Sequence, residues 1–151
     1  MNKCLVLGIV MCAFADYACA ADAPGQAGTL ATTPNQTITR AGEQAPIYGA
    51  AEYFTGRVRV DPLFSPNESI NASGAYVTFE PGARSAWHTH PAGQRLVVIS
   101  GIGLTQEWGK PVQVIRQGDV VWCPPRVKHW HGAAPNSAMA HLAVGSSVDG
   151  K

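Results

Sequence analysis

From Glu52 to Val144 the chain is a succession of short runs rich in β-branched and aromatic residues, each closed by Gly, Pro, Asn or Asp. Such runs suit strands, and no stretch keeps a helical apolar period long enough to compete. The pattern predicts an all-β sandwich or barrel. Strands are expected at Tyr53–Val60, Ala75–Glu80, Ser85–Thr89, Leu96–Ser100, Leu104–Glu107, Val112–Ile115, Val120–Cys123, Lys128–Gly132 and Met139–Val144. Reversals are expected at Glu80-Pro81-Gly82-Ala83, Ser100-Gly101-Ile102-Gly103, Trp108-Gly109-Lys110-Pro111 and Arg116-Gln117-Gly118-Asp119, where Gly or Pro meets the backbone angles of a turn. Pro62, Pro66 and Asn67 mark the stretch after Asp61 as a loop.

A chain of 151 residues allows one domain, because a single core is the usual product of this length. Lys3, the apolar Cys4–Ala15 run and the small Ala18-Cys19-Ala20 group read as an export signal over residues 1–20. The apolar run is too short for a membrane span, which needs about 20 residues. From Ala21 the composition is Ala, Gly, Pro, Thr and Gln, too poor in large apolar groups to offset the entropy of ordering. Residues 21–50 are therefore expected to be a flexible leader with a first edge segment, residues 51–145 the barrel, and residues 146–151 a tail. Cys4, Cys12 and Cys19 leave with the signal, so Cys123 alone remains and no internal disulfide forms. The expected compartment is periplasmic or extracellular. Eleven basic side chains against ten acidic ones give a net charge of +1, which supplies no field to gather nucleic acid or an anionic membrane. The expected partner is a small molecule.

All five histidines fall between His88 and His141. His88 and His90 are two apart, as are His129 and His131, and on a strand that spacing puts both rings on one face. Gln94 follows His90 across the short Pro91-Ala92-Gly93 segment and can reach the same point. A single histidine would be read as a core or surface residue. Two His-x-His pairs in an all-β chain instead point to a nitrogen-rich metal site, which suits zinc, iron, manganese, nickel or copper. Trp87 and Trp130 alternate with the histidines and should point away, toward a second layer or an interface.

Gly82-Ala83-Arg84-Ser85-Ala86-Trp87-His88-Thr89-His90-Pro91-Ala92-Gly93-Gln94, continuing to Gly101, resembles the first cupin motif, with Gln94 where glutamate is commoner. Gly118-Asp119-Val120-Val121-Trp122-Cys123-Pro124-Pro125-Arg126-Val127-Lys128-His129 resembles the second, with Arg126 where glycine is usual, which predicts an altered turn before His129. A closer resemblance, from about Ala51 to about Val144, is to the bacterial manganese-dependent cupin hydroxynitrile lyases. Tyr53–Phe64, Val77–Arg84, Lys128–Pro135 and Met139–Ala143 carry it. This resemblance implies a single cupin barrel, a double-stranded β-helix or jelly roll. It implies one divalent metal, manganese first with iron, nickel or zinc as alternatives, held by His88, His90, Gln94 and His129. It further implies catalytic roles for His131 and His141 beside the ligands, and homo-oligomerisation through outer sheet faces.

Three neutral imidazoles and a carboxamide oxygen would leave such an ion its full Lewis acidity, suited to polarising a hydroxyl of an (R)-cyanohydrin. Departing cyanide calls for a proton donor near neutrality, for which His131 and His141 are the candidates. Their alternative role is to orient the ligands. Val77, Phe79, Leu96, Val98 and Trp122 are available to line a pocket, although core is the commoner fate of such residues. The competing functions are a metal-dependent dioxygenase acting on a small organic substrate and a non-catalytic periplasmic binder. Gln94 argues against the dioxygenase, because a carboxamide cannot take a substrate proton at neutral pH.

Overall fold

The computed structural model describes residues 35–148; the export signal expected at residues 1–20, with Cys4, Cys12 and Cys19, lies outside them. Strand and turn account for all regular structure among the described residues. The strands are β1 (Ile47–Tyr48), β2 (Phe54–Thr55), β3 (Val58–Phe64), β4 (Ser73–Phe79), β5 (Arg84–Ser85), β6 (Gln94–Glu107), β7 (Gln113–Arg116), β8 (Val120–Cys123), β9 (His129–Ala133) and β10 (Met139–Gly145).

All pairings are antiparallel. One sheet runs β1-β3-β4-β10-β6-β8, and a second runs β7-β6-β9-β5-β2. The long strand β6 belongs to both, pairing β10 and β8 through its first half and β7 and β9 through its second. The two sheets face each other, because Val58, Val77, Phe79, Val98 and Met139 from the first pack in one cluster with Ile115 and Ala133 from the second. Alternation produces this core: in β4, Val77 and Phe79 turn inward while Tyr76 and Thr78 between and before them do not. Phe79 is 0 % exposed, and burying a side chain of that kind stabilises by about 1.5–3 kcal/mol.

The structure corrects the sequence reading at four places. The strand expected at Tyr53–Val60 is broken at Gly56, whose φ of 77° lies outside the strand region, into β2 and the start of β3. The loop expected after Asp61 is strand as far as Phe64, since Pro62 sits beside a register shift where its missing donor is tolerated. No reversal occurs at Ser100–Gly103. Gly101, with a φ of 76°, instead bends β6 from one sheet into the other, and a Cβ at this position would collide with the carbonyl oxygen of Ala138. The fourth correction is that β5 stops at Ser85, so His88 and His90 lie on irregular backbone tied to β9 by the His88–His129 bridge. The turn at Arg116–Asp119 forms as expected, with the Asp119 carboxylate accepting the Arg116 N–H at 2.7 Å.

Candidate metal centre and its cavity

Strand β9 carries His129 and His131 on its interior face, with 2 % and 5 % exposure. The segment after β5 delivers His88 and His90 to the same place. It is fastened by paired hydrogen bonds of 3.0 Å, His88 N–H to His129 O and His129 N–H to His88 O. Gln94 opens β6, and His141 lies fully buried on β10. Ring centroids are 4.9 Å apart for His88–His90, 4.4 Å for His88–His129 and 5.6 Å for His90–His129. His131 lies 5.4 Å from His88 and 4.8 Å from His141 by the same measure. Every histidine singled out in the sequence thus reaches one cluster. The spacing argument placed the first pair correctly but for the wrong reason, since that pair is not on a strand.

The ring tautomers follow from the backbone. The Ala86 carbonyl lies 2.8 Å from His88 Nδ1 and the Val127 carbonyl 2.9 Å from His129 Nδ1. A carbonyl can only accept, so each Nδ1 bears the proton and each Nε2 presents a lone pair. His129 Nε2, His90 Nε2, His131 Nε2 and Gln94 Oε1 are all buried without a hydrogen-bond partner. Orphaned acceptors converging in one place are costly unless a cation satisfies them, and this set of neutral nitrogen and oxygen donors fits a divalent transition metal. Ligand atoms of His88, His129 and His131 all lie within 4.8 Å of one another. His131 therefore stands close enough to compete with His90 and Gln94 for a place around an ion.

Burial keeps the rings of His90, His129, His131 and His141 neutral. Burial, reinforced by His88 and His129, pushes His90 down to about 4, with the neighbouring Gln94 side chain opposing the shift. Burial likewise lowers His129, and it lowers His131 well below the ordinary histidine range with help from His141. His141 is pushed down to about 4, again by burial. The expectation of a group titrating near neutrality is therefore not met by either candidate acid; both rest as neutral imidazoles.

A cavity of about 640 Å³ opens onto the cluster, lined by His88, His90, Gln94, His131 and His141 on one side and by Phe54, Val60, Val77 and Ala143 among the apolar residues. Glu52, which is exposed, is the only acidic residue of its lining among the described residues. Of the apolar residues put forward from the sequence, Val77 lines this cavity, whereas Phe79, Leu96 and Val98 are core and Trp122 is 51 % exposed on the outer face. Trp87 and Trp130 pack edge-on with centroids 6.4 Å apart, and Trp108 meets Trp87 edge-on at 4.9 Å; Trp87 also forms part of the lining of this cavity. Sequence reading missed Ser85, whose buried hydroxyl accepts the His131 N–H at 3.1 Å. A serine at an inward position of a strand was the available signal.

A family model described as a cupin domain matches residues 75–145. The (R)-mandelonitrile lyase of Granulicella tundricola is 56 % identical over 114 residues, covering 76 % of this chain and 87 % of that protein. The chain belongs to the cupin family. Among solved cupins, a cupin-like protein from Thermotoga maritima is 42 % identical with a TM-score of 0.65, covering 77 % of this chain and 85 % of its own. A cupin-2 domain protein from Rhodospirillum rubrum, 22 % identical with a TM-score of 0.63 over 77 % of this chain and 78 % of its own, shares the fold. The barrel, the two-motif reading and the kinship with a lyase thus agree. Arg126, at the position where this cupin departs from the second motif, has a φ of 63°. The turn keeps the left-handed shape that glycine would give it, and the arginine bears the strain.

Proposed function

We propose that this cupin is a metal-dependent carbon–carbon lyase that cleaves (R)-cyanohydrins of the mandelonitrile type to an aldehyde and hydrogen cyanide. The observation that carries the proposal is the cluster of orphaned acceptors, His90 Nε2, Gln94 Oε1 and His129 Nε2, beside a largely apolar cavity. Kinship with a protein named for that reaction supports it.

His88, His90, Gln94 and His129 would hold the ion, manganese by preference. When bound it supplies Lewis acidity toward a hydroxyl oxygen, undiminished by any anionic ligand. The remaining work belongs to the chain. Val77, Val60, Phe54 and Ala143 hold the organic group and exclude water from it. His131, neutral at rest, offers Nε2 to take the hydroxyl proton, and its hydrogen bond to His141 fixes the ring. The C–C bond then breaks with its electrons leaving on cyanide, the carbonyl forms, and the proton held at His131 passes to cyanide. An imidazole of low basicity returns that proton readily. No net oxidation occurs.

The test is release of benzaldehyde from (R)-mandelonitrile by the manganese-loaded protein, followed by ultraviolet absorbance with and without dioxygen. Equal turnover in both supports the lyase. Turnover only with dioxygen would establish the oxygenase, and none in either would leave a binding protein.

A further inference from the structure

We propose that Phe54 sets the bulk of substrate the cavity admits, and that Gly49, which does not line the cavity, fixes Phe54 in its place. The identity of the substrate rests on the lyase reading above; the device itself is a matter of packing.

Phe54 stands between the core and the cavity. Its ring tilts against Phe79 at 6.1 Å between centroids, and Phe79 in turn meets the edge of His131 at 5.8 Å. The half-buried ring also forms part of the cavity wall. Behind it lies Gly49, against which the ring is pressed so closely that a Cβ at residue 49 would fall 2.5 Å from Cδ2 and 2.9 Å from Cγ. Carbon atoms settle at about 3.5–4.0 Å, so a methyl group there demands a displacement of about 1 Å.

The backbone is poorly placed to supply that displacement. Gly49 N–H donates to Val58 O at 2.9 Å, the N–H groups of Tyr53 and Phe54 both donate to Ala50 O, and Ala86 N–H donates to Tyr53 O at 2.7 Å. Both ends of the Gly49–Phe54 segment are therefore tied to neighbouring strands. Phe79 blocks the core side. The open direction for the ring is the cavity, whose room for an aryl group would shrink while a small alkyl group would still fit. Gly49 has no positive φ, so alanine there meets this contact without backbone strain.

The test compares wild type, Gly49→Ala, Phe54→Ala and the double variant. Binding of propanal, benzaldehyde and 2-naphthaldehyde is read by saturation-transfer NMR, and cleavage of the corresponding cyanohydrins is assayed in parallel. Gly49→Ala should shift the benzaldehyde-to-propanal binding ratio about tenfold toward propanal, the scale at which an apolar pocket discriminates by a methylene or two. Phe54→Ala should shift selectivity toward 2-naphthaldehyde, and the double variant should behave as Phe54→Ala alone. Phe54→Leu, which keeps an apolar contact with the core, provides the same comparison if the alanine variant does not fold. An unchanged ratio in Gly49→Ala, or a Gly49 effect that survives removal of the Phe54 ring, overturns the inference. Binding ratios that shift as described while no variant cleaves a cyanohydrin would sink the lyase reading and leave this one standing.

Discussion

His141 Nε2 lies 3.1 Å from His131 Nδ1, a hydrogen bond between two buried imidazoles that a single proton must serve. When His131 donates, its own Nε2 is a lone pair able to accept; when His141 donates, His131 carries its proton on Nε2 and can give it away. The pair thus offers two neutral tautomers, one presenting a lone pair and one a proton at His131 Nε2, beside the cavity. Removing His141 should leave the metal donors intact and disable this exchange. His141→Ala is expected to retain its metal by elemental analysis and to lose about 10²-fold or more in kcat on mandelonitrile. Full activity in this variant would refute the role.

Two candidate sets of donors overlap at the centre: His88 with His129 and His131, whose ligand atoms lie within 4.8 Å of one another, and the proposed set of His88, His90, His129 and Gln94. They are separable by substitution. His90→Ala is expected to lose bound manganese, whereas His131→Ala should bind it within a few-fold of wild type and lose turnover. Isothermal titration of the metal-free proteins with manganese decides between them: if His131→Ala fails to bind, His131 is a ligand and cannot also hold the proton.

The architecture was legible in the sequence where alternation and turn chemistry coincide. Val120–Cys123 and the Arg116–Asp119 reversal are found as expected because Gly118 and the Asp119 side chain specify that turn locally. Gly101 misled because a glycine with positive φ serves equally in a reversal and in a strand that changes sheets; only the approach of Ala138, distant in sequence, decides. The histidine cluster was legible because two His-x-His pairs mark one site wherever their segments end. The cavity wall was not, since Phe54 lines it by a packing relation with Gly49 that no local periodicity encodes.

Acid should destabilise the metal-free protein. His90 and His141 titrate at about 4 in the folded chain, against about 6.5 when unfolded. Between those values the unfolded state binds more protons, so stability falls as pH falls from about 6.5 through 4 and levels off below. His141, buried throughout, can contribute up to about 1.4 kcal/mol per pH unit in that window; half-buried His90 contributes less because solvent screens it. Urea midpoints measured at pH 7, 5.5 and 4.5 should decrease in that order. Bound manganese should raise the midpoint at pH 7 and lose this effect toward pH 4.5, since protons compete for the same nitrogens. A flat profile for the metal-free protein would show that the buried rings do not govern its acid stability.

Arg126 is the one non-glycine among the described residues with positive φ, at 63°. Its side chain is exposed, while its backbone N–H donates to the His90 carbonyl at 2.8 Å and so ties the turn before β9 to the segment that carries His90. A side chain in this conformation costs about 1–2 kcal/mol, and glycine would remove that cost at the expense of about 0.5–1 kcal/mol in unfolded-state entropy. Arg126→Gly should therefore stabilise by about 0.5–1 kcal/mol, a rise of roughly 3 °C in Tm, with manganese affinity unchanged because the N–H is kept. Arg126→Pro should do the opposite, since proline lacks the donor and cannot adopt a positive φ. It removes the shorter of the two hydrogen bonds to the His90 carbonyl, leaving only the Gly93 N–H at 3.3 Å, and both Tm and manganese affinity should fall. Thermal unfolding and manganese titration of the two variants read the two effects separately. A lower Tm in Arg126→Gly would mean that the exposed arginine side chain makes a stabilising contact larger than the strain it bears.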